Sequence, residues 1–119
     1  MRASRGEIKI EEILQENGFI FEEEYSFPDL VAESGRALRF DFAVFTDDGD
    51  IDFLIEYQGA QHYESRNLYG GKKGLIQQQH NDKKKVEYCR RHGYKLLVIP
   101  YWDISFVDYD YIVKAAYGW

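Results

Sequence analysis

Two stretches of the chain, LRFDFAVF over residues 38–45 and IDFLIEYQ over residues 51–58, predict the hairpin that decides the fold. Apolar side chains recur at every second position in both stretches, which is the period of a strand with one buried face. The sequence DDGD over residues 47–50 is typical of a turn and joins them. We therefore expect two antiparallel strands whose buried face carries these side chains: Leu38, Phe40, Phe42 and Val44 from the first, and Ile51, Phe53, Ile55 and Tyr57 from the second.

The length of this turn sets the register of the two strands. With four residues in the turn, Phe42 faces Ile55 and Phe40 faces Tyr57. A slip of one residue would carry the apolar side chains to the wrong face, so the agreement between the pattern and the turn length supports this register. The hairpin should therefore have one wholly apolar face.

The same register places two carboxylates, Asp41 and Glu56, opposite each other on the other face, with Gln58 further along it. Directly opposed residues have Cβ atoms about 5 Å apart. Carboxylates at that separation repel each other unless a cation lies between them, and oxygen ligands suit Mg²⁺ or Mn²⁺. The hairpin therefore predicts a divalent-metal site. The alternative is a solvated ribbon face that carries two unrelated acids.

Helices and further strands are predicted on both sides of the hairpin. Residues 4–7 have the S-x-x-E form of a capping box, which begins a helix. This first helix should cover residues 5–17. The patterns that follow predict a short strand over 19–25 ended by Pro28 and a loop over 29–36. After the hairpin they predict a polar loop over 59–74, a helix over 75–92, a central strand over 94–99 and a weak helix over 103–117. We therefore expect one domain over residues 1–119 with an α/β sandwich fold, in which helices flank a small mixed sheet.

Charge and composition limit the functions that this chain can perform alone. Its 15 Lys and Arg residues against 21 Asp and Glu residues give a net charge of −6, which argues against tight binding of nucleic acid. The cations are clustered, however, in residues 36–39, 72–73, 83–85 and 90–95. The single cysteine, Cys89, excludes an internal disulfide and fits a reducing compartment such as the cytoplasm. No apolar run approaches the roughly 18 residues of a membrane span.

Three motifs together resemble a known family. They are Arg39-Phe40-Asp41-Phe42, the stretch IEYQGAQHY over residues 55–63, and Asp82-Lys83-Lys84-Lys85. They resemble the PD-(D/E)XK nucleases, and more narrowly the branch related to very-short-patch repair endonucleases, which includes phage homing endonucleases described by an EDxHD motif. The resemblance covers nearly the whole chain. It implies a restriction-endonuclease-like fold and a Mg²⁺-dependent DNA endonuclease that acts in the cytoplasm of a host cell.

The resemblance also implies roles for acids in three elements. Glu7 matches the acid of the first helix, and Asp41 matches the central metal-binding aspartate. The variable position of the motif falls at Glu56 or Tyr57, and the backbone carbonyl of Tyr57 is a further candidate metal ligand. An alternative for Glu7 is that it only completes the capping box.

The remaining motif positions are His62, Asp82 and Gln58. His62 matches the histidine that activates water, and Asp82 matches the last aspartate of the motif. Gln58 stands where the general motif has lysine, and a neutral amide cannot act as a base, which favours the branch that uses histidine. The alternatives are that His62 is a surface-loop histidine and that Asp82 forms a salt bridge with Lys85.

The expected partner is double-stranded DNA, and a separate DNA-recognition domain is expected outside this chain. The candidate DNA contacts are Arg39, Lys72, Lys73, Gln79, Lys83 and Lys85, although lysines on a helix are often only solvated. A homing endonuclease catalytic domain is the first interpretation. The alternatives are a Holliday-junction resolvase that acts as a homodimer, a repair nuclease of the same fold, and a catalytically inactive DNA-binding or assembly domain.

Overall fold

The computed structural model describes residues 4–60 and 71–118. Its elements, in chain order, are α1 (Arg5–Glu16), β1 (Ile20–Val31), β2 (Ala37–Phe45), β3 (Ile51–Gln58), α2 (Gly71–His92), β4 (Leu96–Pro100), a 3₁₀ helix (Tyr101–Phe106) and α3 (Tyr109–Tyr117). The strands form one sheet in the order β1-β2-β3-β4. The first three strands are antiparallel, and β4 runs parallel to β3 after the crossover through α2. The α/β class with a small mixed sheet is therefore confirmed.

Each face of the sheet carries its own apolar core. On one face α1 and α3 pack over the hairpin and β4, and the buried side chains there are Ile10, Leu14, Phe42, Val44, Phe53, Ile55, Leu97, Ile99, Val107 and Ile112. On the other face α2 packs over the sheet, and the buried side chains are Phe27, Leu30, Ala32, Leu38, Phe40, Ala43, Leu54, Tyr88 and Cys89. The hairpin is thus covered on both sides, and its α2 face is the one that carries charged groups.

The predicted register is confirmed from Phe42 to Val44, but it shifts next to the turn, where Phe45 pairs with Ile51. The alternation predicted along β2 is not confirmed. Phe42 pairs with Ile55 in the predicted register. Phe40, predicted to lie on the same face as Phe42 and opposite Tyr57, instead packs against Phe27 in the core under α2. Leu38 lies in that same core, so β2 changes face around Asp41.

Two predicted element boundaries and the predicted position of one strand in the sheet are wrong. The first strand does not end at Pro28, because β1 is an edge strand and a proline, which lacks an N–H donor, is tolerated there. Residues 71–74, predicted as loop, already belong to α2. The last strand is not central: β4 is at the other edge of the sheet, and its Val98 is 40% exposed. Among the described helices none is both long and apolar enough to cross a membrane.

Helix α1 begins as its sequence predicts and lies close to β3. The Ser4 hydroxyl accepts the Glu7 N–H at 3.2 Å and donates to Glu7 Oε1 at 3.1 Å. Buried Ile10 and Leu14 fix the helix against the sheet. At Gly6 the helix backbone approaches the ring of Tyr57 so closely that an added Cβ would lie 2.6 Å from Tyr57 Cε1. The sequence of α1 therefore allows this contact only because position 6 has no side chain.

Candidate active site

Asp41 lies at the point where β2 changes face, and it bonds to the backbone of β3. Leu54 N–H points to the β4 side, where it donates to Lys95 O, so the N–H of Tyr57, three residues on, points to β2. It donates to Asp41 Oδ2 at 2.6 Å rather than to a backbone carbonyl. The described pairs between β2 and β3 end at Phe42–Ile55, and beyond them the Asp41 side chain accepts from the β3 backbone while Phe40 lies in the core under α2.

Glu56 is the one charged residue among the buried residues that the structure describes, with 5% of its surface exposed. Burial raises the pKa of its carboxyl, the charge of Asp41 raises that pKa further, and Lys85 opposes both by lowering it. The Lys85 Nζ atom lies 2.6 Å from Glu56 Oε1, and the Lys85 side chain is itself only 13% exposed. Two carboxylates and an ammonium group therefore form one compact charged cluster beneath α2.

Helix α2 contributes two residues, one turn apart, to this cluster. Asp82 Oδ2 accepts a hydrogen bond from Gln58 Nε2 at 3.4 Å, and the Asp82 charge also raises the pKa of Glu56. Lys85 reaches Glu56 and lies 5.7 Å from the centroid of the Phe40 ring. Residues three apart on a helix share a face, and so do residues two apart on a strand, such as Glu56 and Gln58. The Asp82–Gln58 and Lys85–Glu56 contacts therefore lie side by side and join α2 to β3. Asp82 bonds to Gln58 rather than to Lys85.

The cluster offers oxygen donors of the kind that divalent cations prefer, without a complete metal-binding set of side chains among the described residues. Within residues 4–60 and 71–118, no group of three or more His, Cys, Asp and Glu side chains is arranged to hold a metal. The candidate ligands are two carboxylates, Asp41 and Glu56, and the Tyr57 carbonyl, an all-oxygen set that hard cations prefer. Burial is the main cause of the raised pKa of Glu56, and the charge of Asp41 raises that pKa further; a cation between the two carboxylates would reverse this second contribution.

The two remaining motif residues are not joined to this cluster by a described contact. Glu7 caps α1 through Ser4, as one of its two interpretations predicts, and it lies near enough to Tyr57 to help burial raise the pKa of that phenol. Its catalytic role stays a prediction. His62 lies outside the described residues, and its role as general base also stays a prediction.

The predicted DNA contacts divide into exposed and buried groups. Arg39, Lys72, Lys73, Gln79 and Lys83 are exposed. Arg39 forms an exposed ion pair with Glu24 at 3.6 Å. Lys85 is different, because its ammonium group forms an ion pair with the buried Glu56 carboxylate. Its predicted contact with a DNA phosphate stays a prediction.

The sequence analysis did not predict that Lys85 pairs with Glu56. The spacing of Asp82, Val86 and Cys89 is that of one helical face, yet Val86 is 50% exposed while Tyr88 and Cys89 are buried. Lys85 precedes Tyr88 and Cys89 by three and four residues, which is a signal that it shares their face. A lysine on such a stripe requires a partner, and Glu56 provides it.

Comparison with known proteins gives one similarity. The chain is similar to uncharacterized protein 094L of Frog virus 3 (isolate Goorha), with 37% identity over 71 residues, which are 58% of this chain and 43% of that protein. The match therefore spans less than half of the length of that relative. No protein-family model matches the sequence. No solved structure matches it.

Proposed function

We propose that this chain is a metal-dependent DNA endonuclease domain that hydrolyses phosphodiester bonds, with a restriction-endonuclease-like fold. The observation that carries the proposal is the cluster of Asp41, Glu56 and Lys85, two carboxylates and an ammonium group held together under α2. Charged groups are costly to bury, and clefts where their pKa values are strongly perturbed are frequent sites of catalysis. The motif resemblance, which runs through the same residues, supports this interpretation.

Each group has a definite task in the proposed reaction. Asp41, Glu56 and the Tyr57 carbonyl would hold Mg²⁺ or Mn²⁺, which polarises the scissile phosphodiester and lowers the pKa of a nearby water when bound. His62 would accept the proton of the water that attacks phosphorus. Asp82 would fix Gln58, and through it the end of β3, beside the metal ligands.

Lys85 takes over a task that the family motif gives to a strand residue. Gln58 is neutral, so it cannot supply the positive charge of the motif lysine. Lys85 supplies an ammonium group from α2, within hydrogen-bonding distance of Glu56. In this proposal it first neutralises Glu56, and with substrate present it also helps to stabilise the negative charge that develops on the phosphate.

The role of His62 can be tested by His62→Ala. A general base typically contributes about 10²–10⁴ to the rate, so we expect the cleavage rate to fall by that factor with little change in DNA affinity. Single-turnover cleavage and anisotropy titration measure the two quantities. His80→Ala is the matched control, because His80 is exposed and forms its ion pair with Glu33. A His62→Ala rate within a few-fold of the wild type would remove His62 from the chemistry.

Within this proposal, the catalytic domain of a homing endonuclease is the first choice. The net charge of −6 predicts that the chain alone binds duplex DNA weakly and without sequence preference at physiological salt. A gel-shift titration with plain duplex and four-way junctions, together with a measurement of molecular mass in solution, tests this. Tight and junction-selective binding by a homodimer would replace the homing-endonuclease assignment with that of a resolvase.

A further inference from the structure

A groove runs between the β1–β2 hairpin and the first half of α2. Ala32, Ser34 and residues 36–39 of the β1–β2 hairpin form one wall, while Gln77, Gln78 and Asn81 of α2 form the other. The volume between them is about 650 Å³, and the groove is open to solvent along one side. We call this feature the hairpin groove. It is distinct from the carboxylate cluster, and none of the side chains considered so far as metal ligands lines it.

The lining of the hairpin groove has a chemical character unlike that of the chain as a whole. It carries two arginines, Arg36 and Arg39, together with amide side chains, and no carboxylate is among the residues that form it. The whole chain, by contrast, has 21 acids and a net charge of −6. The Arg39–Glu24 pair is exposed, with 62% of the arginine side chain accessible, so it restrains Arg39 only weakly. A concave surface of this composition favours a polyanion.

Both walls of the hairpin groove lead to the carboxylate cluster. Along β2, Arg39 is two residues from Asp41, and along α2, Asn81 immediately precedes Asp82. These walls converge because α2 packs over the same face of the sheet that carries Glu56. A polymer bound along the groove would therefore continue toward Asp41 and Glu56.

We propose that the hairpin groove binds the DNA strand that flanks the phosphodiester to be cut, an inference that rests on the proposed nuclease function. Arg36 and Arg39 contact backbone phosphates, because guanidinium groups match phosphate oxygens in charge and geometry. Gln77 and Asn81 contact sugars or base edges, since amides offer both donors and acceptors. The groove thus sets where the backbone enters the site, independently of any separate recognition domain.

The test measures DNA binding in EDTA, so that it does not depend on cleavage. Arg36→Gln with Arg39→Gln changes the net charge by two units, from −6 to −8, and so does the control pair Lys95→Gln with Lys114→Gln. The control residues are exposed and do not line the groove. All four side chains are on the surface, and circular dichroism checks that the variants keep their fold.

The groove variant is expected to weaken duplex binding at low salt about tenfold or more and to reduce the slope of log affinity against log salt by roughly two, about one unit per lost phosphate contact. The control should keep the wild-type slope.

Equal losses in both variants, or no binding by the wild type at low salt, would overturn the proposal. A groove effect in a chain that never cleaves DNA leaves the groove assignment standing and the nuclease proposal refuted. If the chain cleaves DNA but the groove variant binds duplex as tightly as the wild type, the nuclease proposal stands and the groove assignment is refuted.

Discussion

Replacing Asp41 with asparagine is expected to abolish DNA cleavage and leave the fold intact. Asparagine keeps an oxygen that can accept the Tyr57 N–H, so the link between β2 and β3 is preserved. It removes one of the two charges that would hold the metal, and metal-assisted stabilisation is worth several kcal/mol, or about 10³-fold or more in rate. The Asp41→Asn change also removes a repulsion from Glu56, so its thermal stability should not fall.

The measurement is a cleavage assay on mixed DNA substrates with Mg²⁺, with Mn²⁺ and with excess EDTA. Asp48→Asn is the matched control, because it makes the same change of charge at an exposed turn residue. We expect the control to cut as the wild type does, and only when a divalent cation is present. Substantial cleavage by Asp41→Asn, or cleavage that persists in EDTA, would contradict the metal-dependent mechanism.

Of the variants proposed here, Lys85→Met is expected to cause the largest loss of stability. Methionine keeps much of the length and apolar surface of lysine but leaves Glu56 without its partner under α2. Removing one member of a buried ion pair typically costs about 3–5 kcal/mol of unfolding free energy. Lys83→Met is the control on the same helix, and since Lys83 is exposed its effect should stay within about 0.5 kcal/mol. Denaturant unfolding of the two variants measures the difference.

The pH dependence of the Lys85→Met variant identifies the cause of its instability. The pKa of Glu56 is raised in the folded chain, so its contribution to stability is full at low pH and is lost as pH rises through that pKa. Lys85 lowers this pKa, and its removal raises it further. The deficit of Lys85→Met should therefore widen from mildly acidic to alkaline buffer. A deficit that does not change with pH would indicate lost packing instead of lost charge.

The sequence predicts the parts of this fold that depend on local rules. The register of Phe42 with Ile55 follows from strand alternation, although the turn is longer than the predicted four residues and the register shifts beside it; the start of α1 follows from Ser4 and Glu7. Pro28 misled the prediction of β1 because its tolerance depends on the strand's place at the sheet edge, which only the tertiary structure determines.

The candidate site was only partly predictable for the same reason. The opposition of Asp41 and Glu56 stays a prediction, because the described strand pairs end at Phe42–Ile55; the charge of Asp41 is, after burial, the second cause of the raised pKa of Glu56. The change of face along β2 lies beside Asp41, whose carboxylate accepts a hydrogen bond from the Tyr57 backbone N–H, and neither feature has a signature in the apolar pattern. Lys85 was assigned to the surface because lysine is seldom buried, and only the packing of α2 on β3 reveals its partner.

The contact between Gly6 and Tyr57 limits how this sequence can change over evolutionary time. Any side chain at position 6 would collide with the phenol ring, so the two positions cannot change independently. A Cβ at position 6 requires either a smaller residue at position 57 or a different position of the Tyr57 ring. Tyr57 also donates its backbone N–H to Asp41, so the residue that packs against Gly6 belongs to the strand that carries the carboxylate cluster. A residue without chemical function of its own thereby constrains the inheritance of the site.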